Sequence, residues 1–265
     1  MKILNPAKNL AEFFDHLEKS DNRALLLDYD GTLAPFSKER DRASPYTGVV
    51  DVLQGIMQHG NTRLVLVTGR RVDDLIPLIG LKKLPEIWGS HGGERLSADR
   101  GYQKAPICDE AFTGLALVAD WMAAMGWNSQ IERKPLSLAL HWRSLTPEKR
   151  KEIQRQAFEH LPALIEGTDL EVLKFDGGVE LRPKGMTKAR AVETILAEVR
   201  SEAIAYLGDD FTDEEAFAAL RGRGLGVLVR DELRKTGADL WLRPPDELLY
   251  FLRWWEGVAS YARQG

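Results

Sequence analysis

Apolar runs that do not alternate most restrict what this chain can become. Ala24–Leu27, Leu64–Val67, Ala203–Leu207 and Gly226–Val229 are unbroken, and Asp239–Leu242 is a weaker fifth run. A strand with water on one face alternates, whereas a strand covered on both faces does not. The runs therefore predict parallel strands between two layers of helices. Helical periodicity fills the gaps: Leu53, Ile56 and Met57 before a possible stop at Gly60, and Ala189, Val192, Leu196 and Val199 along one later face. Pro245, with Asp246 and Glu247 in the turn after it, marks the start of a last helix. Strand and helix signals in alternation predict a doubly wound, mostly parallel α/β sheet.

The middle of the chain reads differently. "SQIERKPLSLALHWR" and "EVLKFDGGVELRP" alternate in the strand sense, with a hairpin turn expected at Asp176–Gly178. Helical stretches flank them near Ala111–Ala124 and Glu148–Glu159. The expectation is a smaller α+β domain, residues 104–183, inserted into a core made of 1–103 and 184–265. Ile131–Arg143 is predicted as one strand, with Glu132, Lys134, Leu136, Leu138, Leu140 and Trp142 on one face. The seven tryptophans, Trp254 and Trp255 among them, are expected to pack helices.

A net charge of −4 and a pI near 5.8 give no basic stripe, so no nucleic-acid partner is expected. The single cysteine, Cys108, allows no intrachain disulfide and fits a reducing compartment. No apolar stretch of signal-peptide or membrane-span length is present, so a cytoplasmic protein without a membrane partner is expected.

The strand ends carry the chemistry. "LLLDYDGTL" delivers Asp28 and Asp30 to one side of an extended backbone, where two carboxylates repel unless a cation or shared proton relieves them. A turn is the plainer reading of Asp-Gly alone. After "RLVLV" come Thr68, with a hydroxyl, and Gly69, which opens the backbone as a phosphate site requires; taken alone, a helix-capping threonine is the plainer reading. After "AIAYL" comes "GDDFTDEE". Thr212 and Glu215 predict a capping box with a helix from about Asp213, leaving Asp209 and Asp210 in the loop. In "KGMTKARAV", Thr187 is the expected N-cap, and Lys188 stands in a first helical turn that opposes its charge unless an anion binds there. Carboxylates, a hydroxyl and an ammonium at strand ends point to phosphoryl transfer with Mg²⁺. A phospho-receiver module uses similar groups and is the rival of another class. Asp30 and the inserted domain argue against it.

"DYDGT", the Thr68 of "VTGR", the Lys188 of "GMTKA" and "GDDFTDE", in this order, resemble the four motifs of haloacid dehalogenase (HAD) phosphatases. Along nearly its whole length, through "GSHGGE", "IERKPLSLALHWR" and "VELRPKGMTKARAV", the chain resembles trehalose-6-phosphate phosphatases. Ala189 departs from the glycine usual after the motif lysine, which leaves Lys184 as an alternative cation. The resemblance implies hydrolysis of trehalose 6-phosphate, a step of trehalose biosynthesis, with Asp28 as nucleophile and Asp30 as general acid, then base. Thr68 and Lys188 would hold the phosphoryl group. Mg²⁺ would be held by Asp28, the backbone carbonyl of Asp30 and Asp209, with Asp213 or Asp210 orienting its shell. Gly69, His91, Glu132, Lys134 and Glu180 would contact the substrate, His91 being equally readable as a buried structural residue. Another sugar phosphate, such as sucrose 6-phosphate or a glycosyl phosphoglycerate, is the alternative substrate.

Overall fold

The structure, a computed structural model, describes residues 1–37, 39–59, 61–175, 177–198 and 203–261. Gly60, Asp176 and Val199, singled out above, lie outside the described residues. The chain divides into two compact units, Met1–Gln103 with Thr187–Gly265, and Lys104–Met186.

The larger unit is built on a nine-stranded sheet. Its order is Lys2–Ile3, Leu240–Leu242, Leu225–Val229, Ala203–Gly208, Arg23–Leu27, Thr62–Val67, Glu86–Gly89, Glu94–Ser97 and Gly101–Lys104. The six strands from Leu240–Leu242 to Glu86–Gly89 pair in parallel, and all five apolar runs lie among them. Leu25 and Leu27 enter one apolar cluster with Leu17, Val49, Ile56, Leu75 and Phe251. Ala24 and Leu26 enter another with Val192, Ile195, Phe217 and Leu220. Successive residues thus meet helices on opposite faces, which is why the run does not alternate. Trp255 is buried in the first cluster and its indole donates to Thr62 Oγ1 at 3.2 Å.

The last helix, Asp246–Tyr261, follows Pro245 as expected. The helix Lys188–Glu198 buries Ala191, Val192, Ile195 and Leu196, while Ala189 is half-buried at the edge of that face. No helix among the described residues is long and apolar enough to cross a membrane.

The smaller unit carries a four-stranded sheet in the order Ile131–Arg133, Leu138–His141, Gly178–Pro183 and Leu170–Phe175, antiparallel throughout. The helices Asp109–Ala124 and Pro147–Leu164 pack on one face, against Leu138, Leu140, Val179 and Leu181. One expectation fails here. Ile131–Arg143 is two strands, because the chain reverses at Lys134–Ser137, closed by Lys134 N–H to Ser137 O at 3.0 Å. Pro135, which has no N–H to give a ladder, sits in the reversal. Glu132 therefore lies opposite Ala139, not on the face of Leu138 and Leu140.

Candidate active site

The strands Arg23–Leu27, Thr62–Val67 and Ala203–Gly208 are neighbours, with Leu27 paired to Leu66 and Leu207. The residues that follow them, Asp28, Thr68 and Asp209, thus emerge side by side at the carboxyl edge, where open α/β sheets bind ligands. All three are buried, as are Asp213 and Lys188. Lys188 opens its helix behind the Thr187 cap, whose hydroxyl accepts Arg190 N–H at 3.2 Å. Its Nζ lies 2.8 Å from Asp28 Oδ1 and 2.7 Å from Asp213 Oδ1. Lys184, the alternative cation, is exposed and reaches the Thr168 carbonyl at 3.4 Å.

Oxygens of Asp28, Asp209 and Asp213 lie within 4.8 Å of one another. Tyr206, the polar tip in "AIAYL", donates its hydroxyl to Asp213 Oδ1 at 2.5 Å. Asp213 Oδ2 accepts the amides of Asp209 and Asp210, both at 2.9 Å. The helix starts at Asp213 as expected, but the capping box does not form. Thr212 makes no side-chain cap and has helical φ/ψ, so its hydroxyl is not presented to the first amides. Asp213 binds the preceding loop instead. Asp210 stays outside the trio and accepts Phe211 N–H at 2.7 Å.

Burial dominates the electrostatics. It pushes the Asp28 carboxyl up to about 7, with Lys188 opposing and Asp213 reinforcing. Asp209 is held well above its ordinary value by burial, then by Asp28 and Asp213. Burial alone would lower the Lys188 ammonium, but Asp213 and Asp28 outweigh it and raise it. Among the described residues, neither Asp209 carboxylate oxygen receives a donor. Gly31, at φ +81°, makes room for that carboxylate, since a Cβ there would come within 2.2 Å of Asp209 Oδ2. Among the described residues, one ammonium bonds two of the three carboxylates, Asp28 and Asp213. An all-oxygen trio with two undonated oxygens is what a hard divalent cation requires, so the residues fit Mg²⁺.

Asp30 stands apart from this trio. Arg70, absent from the residues sequence reasoning weighed though part of "VTGR", forks it with Nε to Oδ2 and Nη2 to Oδ1, each at 2.6 Å. The hydroxyl of Thr68 accepts Arg70 N–H at 3.1 Å. His91 is buried in a strained turn, with Ser90 at φ 49° and His91 at φ 54°. Left-handed backbone costs a non-glycine residue about 1–2 kcal/mol. Ser90 N–H to Arg70 O at 2.7 Å and His91 N–H to Thr68 O at 3.0 Å hold that turn. The ring consequently covers Gly69, where a Cβ would lie 2.6 Å from His91 Nε2.

In the smaller unit, Glu132 and Glu180 flank Ala139 across the sheet. Lys134 Nζ lies 2.8 Å from Glu180 Oε2, and Ser137 Oγ donates to Glu180 Oε1 at 2.6 Å. His141 Nε2 lies 2.6 Å from Glu132 Oε2. Ser137 and His141 were missed because their acids come from other strands: the reversal at Lys134–Ser137 brings His141 beside Glu132, and the pairing with Gly178–Pro183 brings Ser137 beside Glu180.

Comparison with known proteins identifies the family. The trehalose-phosphatase family model matches residues 26–235. The probable trehalose-phosphate phosphatase 3 of Oryza sativa subsp. japonica is 29% identical, over 89% of this chain and 69% of that protein. Some longer relatives are spanned over only 27–28% of their length. Among solved structures, the C-terminal domain of the C. albicans trehalose-6-phosphate phosphatase superposes with a TM-score of 0.78 at 22% identity, covering 97% of this chain and 99% of that one. A haloalkanoate (HAD) superfamily phosphatase from Bacteroides thetaiotaomicron, 17% identical, gives 0.62, covering 89% and 96%. The fold is HAD-like, and with the family model running from the strand before Asp28 to past the acidic loop, the chain belongs to the trehalose-phosphatase family of phosphoric monoester hydrolases.

Proposed function

We propose that this chain is a Mg²⁺-dependent trehalose 6-phosphate phosphatase that works through an aspartyl-phosphate on Asp28. The observation that carries the reading is the buried Asp28 carboxylate, held 2.8 Å from Lys188 and beside the undonated Asp209. Asp28 attacks phosphorus, and the phosphorus–oxygen bond to the sugar breaks. Asp30 gives the departing sugar oxygen its proton. Asp30 then takes a proton from a water molecule, which attacks the same phosphorus. Inorganic phosphate leaves and the Asp28 carboxylate returns. Thr68, the Gly69 amide and Lys188 hold the phosphoryl oxygens, and the sheet keeps these groups aligned. Bound by Asp28, the Asp30 carbonyl and Asp209, with Asp213 supporting the loop, Mg²⁺ would keep Asp28 ionised and neutralise charge on the transferred group.

The same reading gives Glu132, Lys134 and Glu180 the recognition of sugar hydroxyls, and His91 a place beside the phosphoryl site over Gly69. It is supported by the family resemblance and by the Lys134 ammonium held against Glu180, with Glu132 on the same sheet face. The test is phosphate release from trehalose 6-phosphate, sucrose 6-phosphate and p-nitrophenyl phosphate, with Mg²⁺ and with chelator. Trehalose 6-phosphate should turn over fastest, and only with metal. Preference for another sugar phosphate would overturn the substrate, and full activity in chelator would overturn the metal.

A further inference from the structure

The segment after the strand Leu225–Val229 carries "RDELRK", which plays no part in the chemistry above. Its Arg234 reaches the back of the acidic loop. Nη2 donates to the carbonyl of Asp210 at 2.7 Å and to that of Asp209 at 3.2 Å, and Nε donates to Asp209 O at 3.3 Å. Nη1 donates to Lys235 O at 2.9 Å and to Glu214 Oε1. Glu214 is itself tied by Gly237 N–H at 2.7 Å. The guanidinium also lies 4.8 Å from the Phe211 ring centroid.

The loop is therefore gripped on two sides. Asp213 takes the amides of Asp209 and Asp210, and Arg234 takes their carbonyls, joined at Asp209 O by a longer contact from Arg230 Nη1 at 3.5 Å. This matters most at Asp209, whose carboxylate oxygens receive no donor among the described residues. With no donor holding the side chain, its backbone sets where that carboxylate points. We infer that Arg234 is a positioning residue for divalent-cation binding, fixing the Asp209–Asp210 backbone so that the Asp209 carboxylate faces Asp28 and Asp213. The inference rests on the metal reading above. Arg234 carries a positive charge, which by itself would weaken cation binding, but Glu214 offsets it and the guanidinium bonds outward-facing carbonyls. Backbone order therefore outweighs repulsion. A lysine at this position keeps the charge but loses the fork that spans two carbonyls.

The test compares wild type, Arg234→Lys and Arg234→Met in two measurements: calorimetric titration with Mg²⁺ alone, and hydrogen exchange of the metal-free protein. Partners behind metal ligands typically contribute about 10–100-fold in affinity. Both variants should bind Mg²⁺ at least ~10-fold more weakly. The amides of Asp209 and Asp210 should exchange faster, while those of the strand Arg23–Leu27 stay protected. Unchanged affinity in Arg234→Lys, or tighter binding in Arg234→Met, overturns the inference. If Arg234→Met fails to fold, Arg234→Lys decides. If wild type binds no Mg²⁺, the metal reading falls, and unchanged loop exchange in Arg234→Lys would remove the clamp as well.

Discussion

Lys188→Met puts the charge balance of the site to its hardest test. The ammonium is the cation shared by Asp28 and Asp213, at 2.8 and 2.7 Å, and all three side chains are buried. Methionine keeps much of the stem's volume and removes the charge. Breaking a buried pair by deleting one partner costs about 3–5 kcal/mol, chiefly because the survivor is left charged and dry. Two survivors remain here, so the upper part of that range is expected with metal removed. For a unit of this size each kcal/mol moves the midpoint by roughly 2–4 °C, which predicts a fall of about 10–20 °C in chelator. Thermal unfolding followed by circular dichroism, in excess chelator and then in Mg²⁺, reads this directly. Mg²⁺ should raise the midpoint of the variant more than that of wild type, because the added cation relieves a larger imbalance. Asp213→Asn in the Lys188→Met background should recover part of the loss, since one stranded charge is gone. Turnover should fall on sugar and aryl phosphates alike. A variant as stable as wild type in chelator would refute the reasoning, because the ammonium would then not be compensating buried charge.

Three further outcomes follow from the same geometry. Asp28→Asn should lose turnover of every phosphate ester while remaining folded in chelator, checked by phosphate release and circular dichroism; retained turnover would remove Asp28 as nucleophile. Glu132→Gln and Glu180→Gln should each lower catalytic efficiency on trehalose 6-phosphate by roughly 10–100-fold, the worth of one hydrogen bond to a charged group, and leave p-nitrophenyl phosphate nearly untouched. Equal loss on both substrates would mark these residues as structural. Glu198 is bonded by Arg95 Nη1 and Nη2, both at 2.7 Å, and by Arg63 Nη2 at 2.8 Å, and these lower its carboxyl from 4.5 to about 2. A lowered folded-state value gives stability that is complete above the ordinary value and is lost as pH falls towards 2. Glu198→Gln should therefore lower the unfolding free energy at pH 7 by about 1 kcal/mol and by much less near pH 2, a difference that urea titrations at the two values would show.

The sequence disclosed what depends on neighbours along the chain. Unbroken runs such as Ala24–Leu27 showed burial on both faces, and that burial is what fixes Asp28 and Asp209 at strand ends. The Thr187 cap and the position of Lys188 followed from helix-start chemistry. What failed depended on backbone direction or on distant partners. Glu132 was placed on the wrong face because alternation continues through Lys134–Ser137, and only Pro135 hinted at a reversal. The Thr212–Glu215 spacing suited a capping box, yet Asp213 binds the loop amides. Arg70 could have been noticed as an arginine just past a strand end, two residues after Thr68, at the same sheet edge as Asp30. Arg234 left no such mark, since its targets are backbone carbonyls far away in sequence, and carbonyls carry no residue signature.

The distribution of cations around the site has a logic of its own. Arg70 and Arg234 both come close to the acids, yet neither enters the trio. Arg70 is occupied by Asp30, and Arg234 by carbonyls and Glu214. Among the described residues, Lys188 is the cation that bonds Asp28 and Asp213. Had either guanidinium turned inward, its planar fork would have matched a carboxylate and closed the oxygens off, since a bidentate pair is a stable and geometrically exclusive arrangement. A single ammonium cannot do this for three carboxylates. It leaves Asp209 without a donor, at a cost in metal-free stability that the covered sheet on both sides must carry. The site is thus kept short of positive charge by holding its arginines in the surrounding shell. The fold tolerates that deficit because the strand ends cannot relax: moving Asp28 or Asp209 apart would unpair Leu27 from Leu207 in the middle of the sheet.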